Sequence, residues 1–268
     1  VRDVPELPEV ETVRRGLEPQ LVGRRLVDGG GHPSGKFRQA PEAIGATVRS
    51  VDRRGKYLLL GLDDQRRLVL HLGMTGRVRV LAERDPSPHV RAWWLLDDGR
   101  TLDLHDVRRF GRVAVVGEDL STLPTLAALG PEPFDPAFTG DHLWAAARRS
   151  SVRIKTQLLS QRVVAGVGNI YADEALWRAG IHPAARQISR PAAARLQVAI
   201  VEVLAEGIAH GGTTLRDYRT VDGEEGAHQH ALDCYGRAGL PCPRCGTVLR
   251  RSVVDARGTT HCPACQRR

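Results

Sequence analysis

Apolar residues first recur at helical spacing at Val10, Val13, Leu17 and Leu21, with Glu11, Arg14, Arg15 and Glu18 between them, which predicts an amphipathic helix over residues 8–18. Pro8 suits its first turn, where a missing N–H costs nothing, and Glu9 and Glu11 lie near the positive end of the helix dipole. Read locally, this is a capped helix docking on a core. From residue 26 to about 116 the period shortens. Residues 57–60, 68–72, 78–81, 93–96 and 101–104 read as short strands separated by polar or glycine-rich turns, which predicts an antiparallel sandwich or barrel with the helix at its edge. Residues 117–137 lose periodicity and gather turn formers in Gly130-Pro131-Glu132-Pro133-Phe134-Asp135-Pro136, as a linker does. Helical spacing then returns over 143–149, 155–161, 170–179 and 191–210, with Gly166-Val167-Gly168-Asn169 as a glycine-rich turn between the second and third. The polar stretch 211–233 is expected to be a mobile lid, with residues 222–226 too hydrophilic to pack.

The chain has 268 residues, enough for two domains or one plus a small module. Its net charge of +8 and pI near 9.8 suit a polyanionic partner. No apolar run approaches the ~20 residues of a membrane span, and the opening VRDVPELP lacks the apolar core of a signal peptide, so a cytoplasmic protein is expected. Of 39 basic residues only Lys36, Lys56 and Lys155 are lysines, so each is a candidate for a role that arginine fills poorly. Lys36, in a polar stretch, reads as solvated surface.

Cys242-x2-Cys245 and Cys262-x2-Cys265, sixteen residues apart, fit one tetrahedral four-thiolate zinc site. A closed site of this kind leaves no position for substrate, so the zinc is structural. Cys234 falls outside the pattern and reads as a small buried hydrophobe. Arg257-Gly258-Thr259-Thr260 reads as a tight turn presenting an arginine.

Pro5 to Leu17, PELPEVETVRRGL, resembles the N-terminus of the formamidopyrimidine-DNA glycosylase and endonuclease VIII family. His71-Leu72-Gly73-Met74-Thr75-Gly76, His105-Asp106-Val107-Arg108-Arg109-Phe110-Gly111, LLSQRVVAGVGNIYADEALW over 158–177 and the four cysteines extend the resemblance in the same order over nearly the whole chain. It implies an α+β fold, with a catalytic β-sandwich over 1–125 and its leading helix, a linker over 126–137, a helix-two-turns-helix domain with the lid over 138–233, a zinc finger over 234–268, and DNA in the cleft between. A monomer acting on damaged double-stranded DNA is expected.

The resemblance also implies roles. Pro5, as a free N-terminal amine, attacks C1′ of the damaged nucleotide, and Glu6 is the general acid while the sugar ring opens. A secondary amine gives a cationic iminium that acidifies C2′–H, so β- and δ-elimination follow. Lys56 and Arg257 match positions assigned to proton donation in those steps, although arginine holds its proton too tightly and phosphate positioning suits Arg257 better. Met74 and Phe110 would fill and wedge the stack, and Arg108 would face the orphaned base. Without the family context, Met74 is equally a core gap filler, and 105–111 a β-bulge with surface arginines. His71, Asn169, Lys56 and Arg257 make a phosphate clamp, with His89 and Arg149 as further DNA contacts; Lys155 and Glu174 match positions near the base, Glu174 alternatively pairing on its helix. The lid is where the family reads the base. Many relatives carry an aromatic before Gln229, where this chain has Ala227-His228, and proline where it has Val107. Two rivals stand: an endonuclease VIII-like specificity for oxidised pyrimidines, and a non-catalytic zinc-finger DNA-binding module. Because Pro5 is acylated by Val4 in the chain as written, translation from the Val4 codon, followed by trimming, is the expected route to a free Pro5 amine.

Overall fold

The structure is a computed structural model that describes residues 4–215 and 218–267. Val1 to Asp3, on which the expected chain start bears, and two lid residues, Arg216 and Asp217, lie outside the described residues. The chain forms two compact units. One comprises residues up to Ala127 together with Gly211–Ala227, and the other comprises Ala128–His210 and the residues from His228 onward.

In the first unit, α1 (Leu7–Leu21) is longer at both ends than the spacing predicts. Eight strands follow, β1 (Leu26–Gly31), β2 (Val48–Arg54), β3 (Tyr57–Leu62), β4 (Arg67–His71), β5 (Arg77–Leu81), β6 (Val90–Leu96), β7 (Thr101–His105) and β8 (Arg112–Val116), and then the single turn α2 (Pro124–Ala127). They pair antiparallel in two four-stranded sheets, ordered β1-β6-β7-β5 and β2-β3-β4-β8. Leu58, Leu60, Leu68, Leu70, Trp94, Leu102 and Leu104 bury between the sheets in one cluster with Val10, Val13, Leu17 and Leu21 of α1. The helix touches β2 and β5, the edge strands of the two sheets, and so covers the open edge of the sandwich as its apolar face requires.

Residues 211–227 pack with the first unit, not with the helices that flank them in sequence. Tyr218 and Val221 join the sandwich core, Val221 lying against Gly16 of α1, and Thr213 and Thr214 are buried. The four-residue run Asp222-Gly223-Glu224-Glu225 stays exposed, as its polarity predicts, while the buried residues on either side anchor it.

The second unit contains α3 (Gly140–Arg148), α4 (Ile154–Leu159), α5 (Asn169–Ala179) and α6 (Arg190–Ala209), then the hairpin β9 (Arg250–Val254) and β10 (Arg257–His261). Between α4 and α5 the side chain of Gln161 accepts the Gly166 N–H (2.9 Å) and donates to the Val167 carbonyl, filling the hollow of the glycine-rich turn. The hairpin turn is Asp255-Ala256, both at positive φ (46° and 63°), so residues 257–260 are strand and not the turn that the sequence suggests. A two-residue turn of this kind matches the strand twist, which favours it even without glycine.

Candidate active site

Pro5 is buried immediately before α1, and Glu6 is the N-cap residue, also buried. The Glu6 N–H donates to Oε2 of Glu9 at 2.8 Å, and Oε1 of the same carboxylate accepts the Thr213 N–H at 2.7 Å. Tyr218 donates its hydroxyl to the Gly211 carbonyl (3.1 Å) and lies 3.4 Å from the Glu9 carbonyl. Glu9 therefore joins the start of α1 to the 211–227 segment, a function that its reading as a helix cap does not reveal.

Lys56 lies in the β2–β3 turn, and His71 ends β4 opposite Tyr57, with ring centroids 4.7 Å apart. Burial, with Lys56 and Arg112 nearby, pushes the His71 imidazole down to about 4, so it is neutral at physiological pH. Its Nδ1 accepts the Gly73 N–H at 3.1 Å, which leaves the proton on Nε2 as a donor.

Met74 and the 106–111 loop form one surface. A Cβ on Gly73 would come within 2.5 Å of the backbone at Phe110 and Gly111, so only glycine lets the two loops nest. Beneath them the fully buried Asp106 accepts from Thr75 Oγ1 (2.6 Å), Arg108 N–H (3.2 Å) and Gly111 N–H (2.7 Å). Arg91 donates to the carbonyls of Asp106 (2.8 Å) and Val107 (3.3 Å). The loop thus has its own frame and does not need a proline at Val107. His89 is tied in through its carbonyl, which accepts the Asp106 N–H at 2.8 Å. Lys36 is not free surface, since its Nζ donates to the Arg109 carbonyl (2.8 Å) and lies over the Phe110 ring. Phe110 is left 44% exposed with Arg108 stacked on it at 4.7 Å, and Met74 is partly exposed, so neither is core.

In the helical unit, Asn169 opens α5 and donates to the Gly258 carbonyl at 3.2 Å, beside the exposed Arg257. Lys155 is fully buried, and its ammonium meets Asp173 Oδ1 (2.7 Å), Thr259 Oγ1 (2.8 Å) and the Gly258 carbonyl (3.1 Å). Asp173 Oδ2 accepts the Thr260 N–H at 2.8 Å. Glu174, also buried, accepts the N–H groups of Asp233, Cys234 and Tyr235 at 3.0, 2.9 and 2.6 Å. Lys155 thus holds the hairpin, and Glu174 holds the chain entering it. Arg149, exposed at the C-cap of α3, is tied to none of these by a side-chain bond.

The donor atoms of Cys242, Cys245, Cys262 and Cys265 lie within 4.8 Å of one another. Four thiolates so gathered would hold one structural zinc ion. Trp177 Nε1 (3.3 Å) and the Cys265 N–H (3.4 Å) point donors at sulfurs of the set, the outer contacts a thiolate site needs. Cys234 is buried and donates to the Thr260 carbonyl, outside the set.

Glu9, Asp106, Arg91, Gln161 and Asp173 are the positioning residues that sequence reasoning does not single out. Only Asp106 carried a signal, as an Asp at the end of a strand before a basic loop.

Comparison with known proteins agrees over the full length. Residues 4–113 match the family described as "Formamidopyrimidine-DNA glycosylase N-terminal domain", residues 129–219 the "Formamidopyrimidine-DNA glycosylase H2TH domain", and residues 239–268 the "Zinc finger found in FPG and IleRS". The chain is 47% identical to the formamidopyrimidine-DNA glycosylase of Thermus thermophilus (98% of each chain covered) and 46% identical to that of Deinococcus radiodurans (98% and 97%). Its structure is similar to the crystal structure of the MutM (Fpg) protein of Thermus thermophilus, with TM-score 0.91, 47% identity and 98% of each chain covered. A Lactococcus lactis Fpg variant in complex with a Fapy-dG containing DNA is similar at TM-score 0.91 and 36% identity, covering 98% of this chain and 100% of that one.

Proposed function

Because the chain belongs to the formamidopyrimidine-DNA glycosylase family, we propose that it excises oxidised purines, 8-oxoguanine and formamidopyrimidines, from duplex DNA and cleaves the abasic site by β- and δ-elimination. The observation that carries this reading is the head of α1, where Pro5 directly precedes a buried Glu6 whose backbone is locked by Glu9. A free Pro5 amine there sits at a helix N-terminus, which lowers its affinity for a proton and leaves a nucleophile at neutral pH. Glu6 serves as the acid that protonates the opening sugar. The neutral His71 offers Nε2–H, and Lys56, Asn169 and Arg257 offer further donors, to the phosphates flanking the lesion. Met74, Arg108 and Phe110 occupy the vacated stack, with His89 and Arg149 as outer phosphate contacts and 211–227 facing the everted base. The four cysteines hold zinc, which supplies folding free energy to the hairpin and no step of the reaction.

The partner is damaged double-stranded DNA, bound by a monomer in the cytoplasm. Among the described residues no helix is long and apolar enough to cross a membrane. Relatives solved with Fapy-dG containing DNA and with DNA containing an abasic site support this substrate. Borohydride trapping tests the reading. Protein cut back to Pro5 is expected to form a covalent adduct with an 8-oxoguanine duplex, while protein retaining Val4 is not. A stronger adduct with a thymine glycol duplex would transfer the chain to the pyrimidine-acting branch, and no adduct with any lesion would leave a DNA-binding module.

A further inference from the structure

The 211–227 segment leaves the helical unit at His210, the C-cap of α6, and returns to it at His228. Those two side chains stack on each other, with ring centroids 5.4 Å apart and planes at 29°. The buried His228 also stacks on Tyr171 of α5, at 5.5 Å and 16°. Tyr171 is itself seated over α6, where a Cβ on Gly207 would come within 2.5 Å of its hydroxyl oxygen. A column of three rings, Tyr171, His228 and His210, thus runs from α5 to the neck of the segment. Within the sandwich unit the neck continues as backbone against backbone, since a Cβ on Gly226 would meet the Gly212 carbonyl at 2.2 Å. Beyond it, the Thr213 N–H reaches Glu9 beside Pro5 and Glu6.

We propose that the His210–His228 stack is a clasp that sets how firmly the 211–227 segment stays folded on the first turn of α1, and that the two histidines act through it as positioning residues for base excision. This rests on the reading that 211–227 faces the damaged base. Phenylalanine at 228 would keep the ring stack without titrating, giving up only the 3.3 Å contact between the Nδ1 atoms of His228 and His210. With histidine there, the groups facing the ring are Tyr171 and Arg178 of α5, Glu206 of α6 and His210. The Glu206 carboxylate works the other way and favours an imidazolium at 228, but it is shared with Arg178 at 2.7 and 2.8 Å, and the Glu206 carbonyl accepts the His210 Nδ1–H at 2.8 Å. Burial first, and His210 second, push the His228 imidazole down to about 4. In an opened neck it would return to its ordinary ~6.5, so the open form binds more protons and acid favours opening, by about tenfold between pH 8 and pH 5.5 for this one group.

The test follows base excision from an 8-oxoguanine duplex and cleavage of a preformed abasic duplex, each in a single turnover, for the Pro5-exposed enzyme and its His228→Ala, His210→Ala and His228→Phe variants. At pH 8 the two alanine variants are expected to slow excision roughly fivefold, the scale of one lost aromatic pair, with abasic cleavage nearly unchanged. His228→Phe should lie closer to wild type than the alanine variants at pH 8 and lose the acid fall in excision relative to abasic cleavage, which reaches at most about tenfold. The clasp is overturned if the alanine variants slow both substrates alike or neither, or if His228→Phe keeps the wild-type acid fall. Amide hydrogen exchange at Thr213 and Gly226 separates this from the activity reading. If wild type releases no base, the function reading fails, and loss of protection in both alanine variants still supports the clasp while retained protection overturns it.

Discussion

Two exposed elements, the 106–111 loop and the β9–β10 hairpin, are each set on a buried aspartate, and the two aspartates are satisfied differently. Asp106 accepts only from neutral neighbours, two backbone N–H groups and the Thr75 hydroxyl. Asp173 forms a 2.7 Å ion pair with Lys155, whose ammonium also donates to Thr259 Oγ1 and the Gly258 carbonyl. The difference follows from chain distance. The 106–111 loop supplies amides beside its own carboxylate, whereas the hairpin lies far in sequence from α4 and α5 and needs a long, three-donor side chain to register it. An arginine fork has planar geometry and does not fit such a tripod, which explains a lysine at 155 in so arginine-rich a chain.

Loss of the metal breaks the comparison most severely, because it removes the hairpin while leaving the loop. Structural zinc contributes on the order of 10–16 kcal/mol in small modules, so Cys242→Ser is expected to lose zinc and DNA binding while the sandwich still melts cooperatively. Full metal content and full DNA affinity in that variant would reject the zinc site. Next comes Lys155→Met, which strands a buried carboxylate at a cost of roughly 3–5 kcal/mol. Burial already holds Asp173 up to about 6 despite the lysine, and removing the lysine raises it further. A protonated Asp173 needs no counter-charge, so the destabilisation should shrink as pH falls from 8 to 6. Denaturant melts at the two values check this, and an equal penalty at both would mean that Asp173 is not the stranded group. The Lys155→Met, Asp173→Leu double variant should recover much of the loss.

Much of this was legible in the sequence because it is periodic or punctuated. The α1 stripe, the strands between 57 and 104 and the four cysteines each repeat a spacing that physics reads directly. The roles of Lys155 and Glu174 were not, because burial is a tertiary property. The residues that complete their bonds, Gly258, Thr259 and the 233–235 amides, lie some 60 to 105 positions away. The anchoring of residues 211–227 was hidden for a related reason. A mean polarity hides a few anchors, and Thr213, Thr214, Tyr218 and Val221 are buried in a segment that is otherwise mostly hydrophilic.

Smaller effects separate the frame of the loop from its tip. Asp106→Asn keeps the volume but has one oxygen where three donors converge, so at least one buried donor goes unpaired at about 1–3 kcal/mol. Thermal melting is expected to show that loss. Excision should fall with it, since Arg108 and Gly111 are both positioned by the lost carboxylate. An unchanged melt would move the support of the loop to Arg91.

Phe110→Ala should change stability least, within about 0.5 kcal/mol, because a half-exposed ring on an already framed loop has little packing to lose. Its effect on the reaction is nevertheless expected to be selective. Eversion of a stacked, paired nucleotide must be compensated by filling the gap, whereas a preformed abasic site has no base to unstack. Phe110→Ala and Met74→Ala should therefore slow excision from an 8-oxoguanine duplex much more than cleavage of an abasic duplex, with no shift in melting temperature. The double variant with Asp106→Asn sharpens the point. If Phe110 acts at the tip that Asp106 frames, removing the ring from a collapsed loop costs little more, and the two losses in excision fall short of their sum. Additive losses would mean that the ring finds its place in the DNA without the carboxylate beneath it.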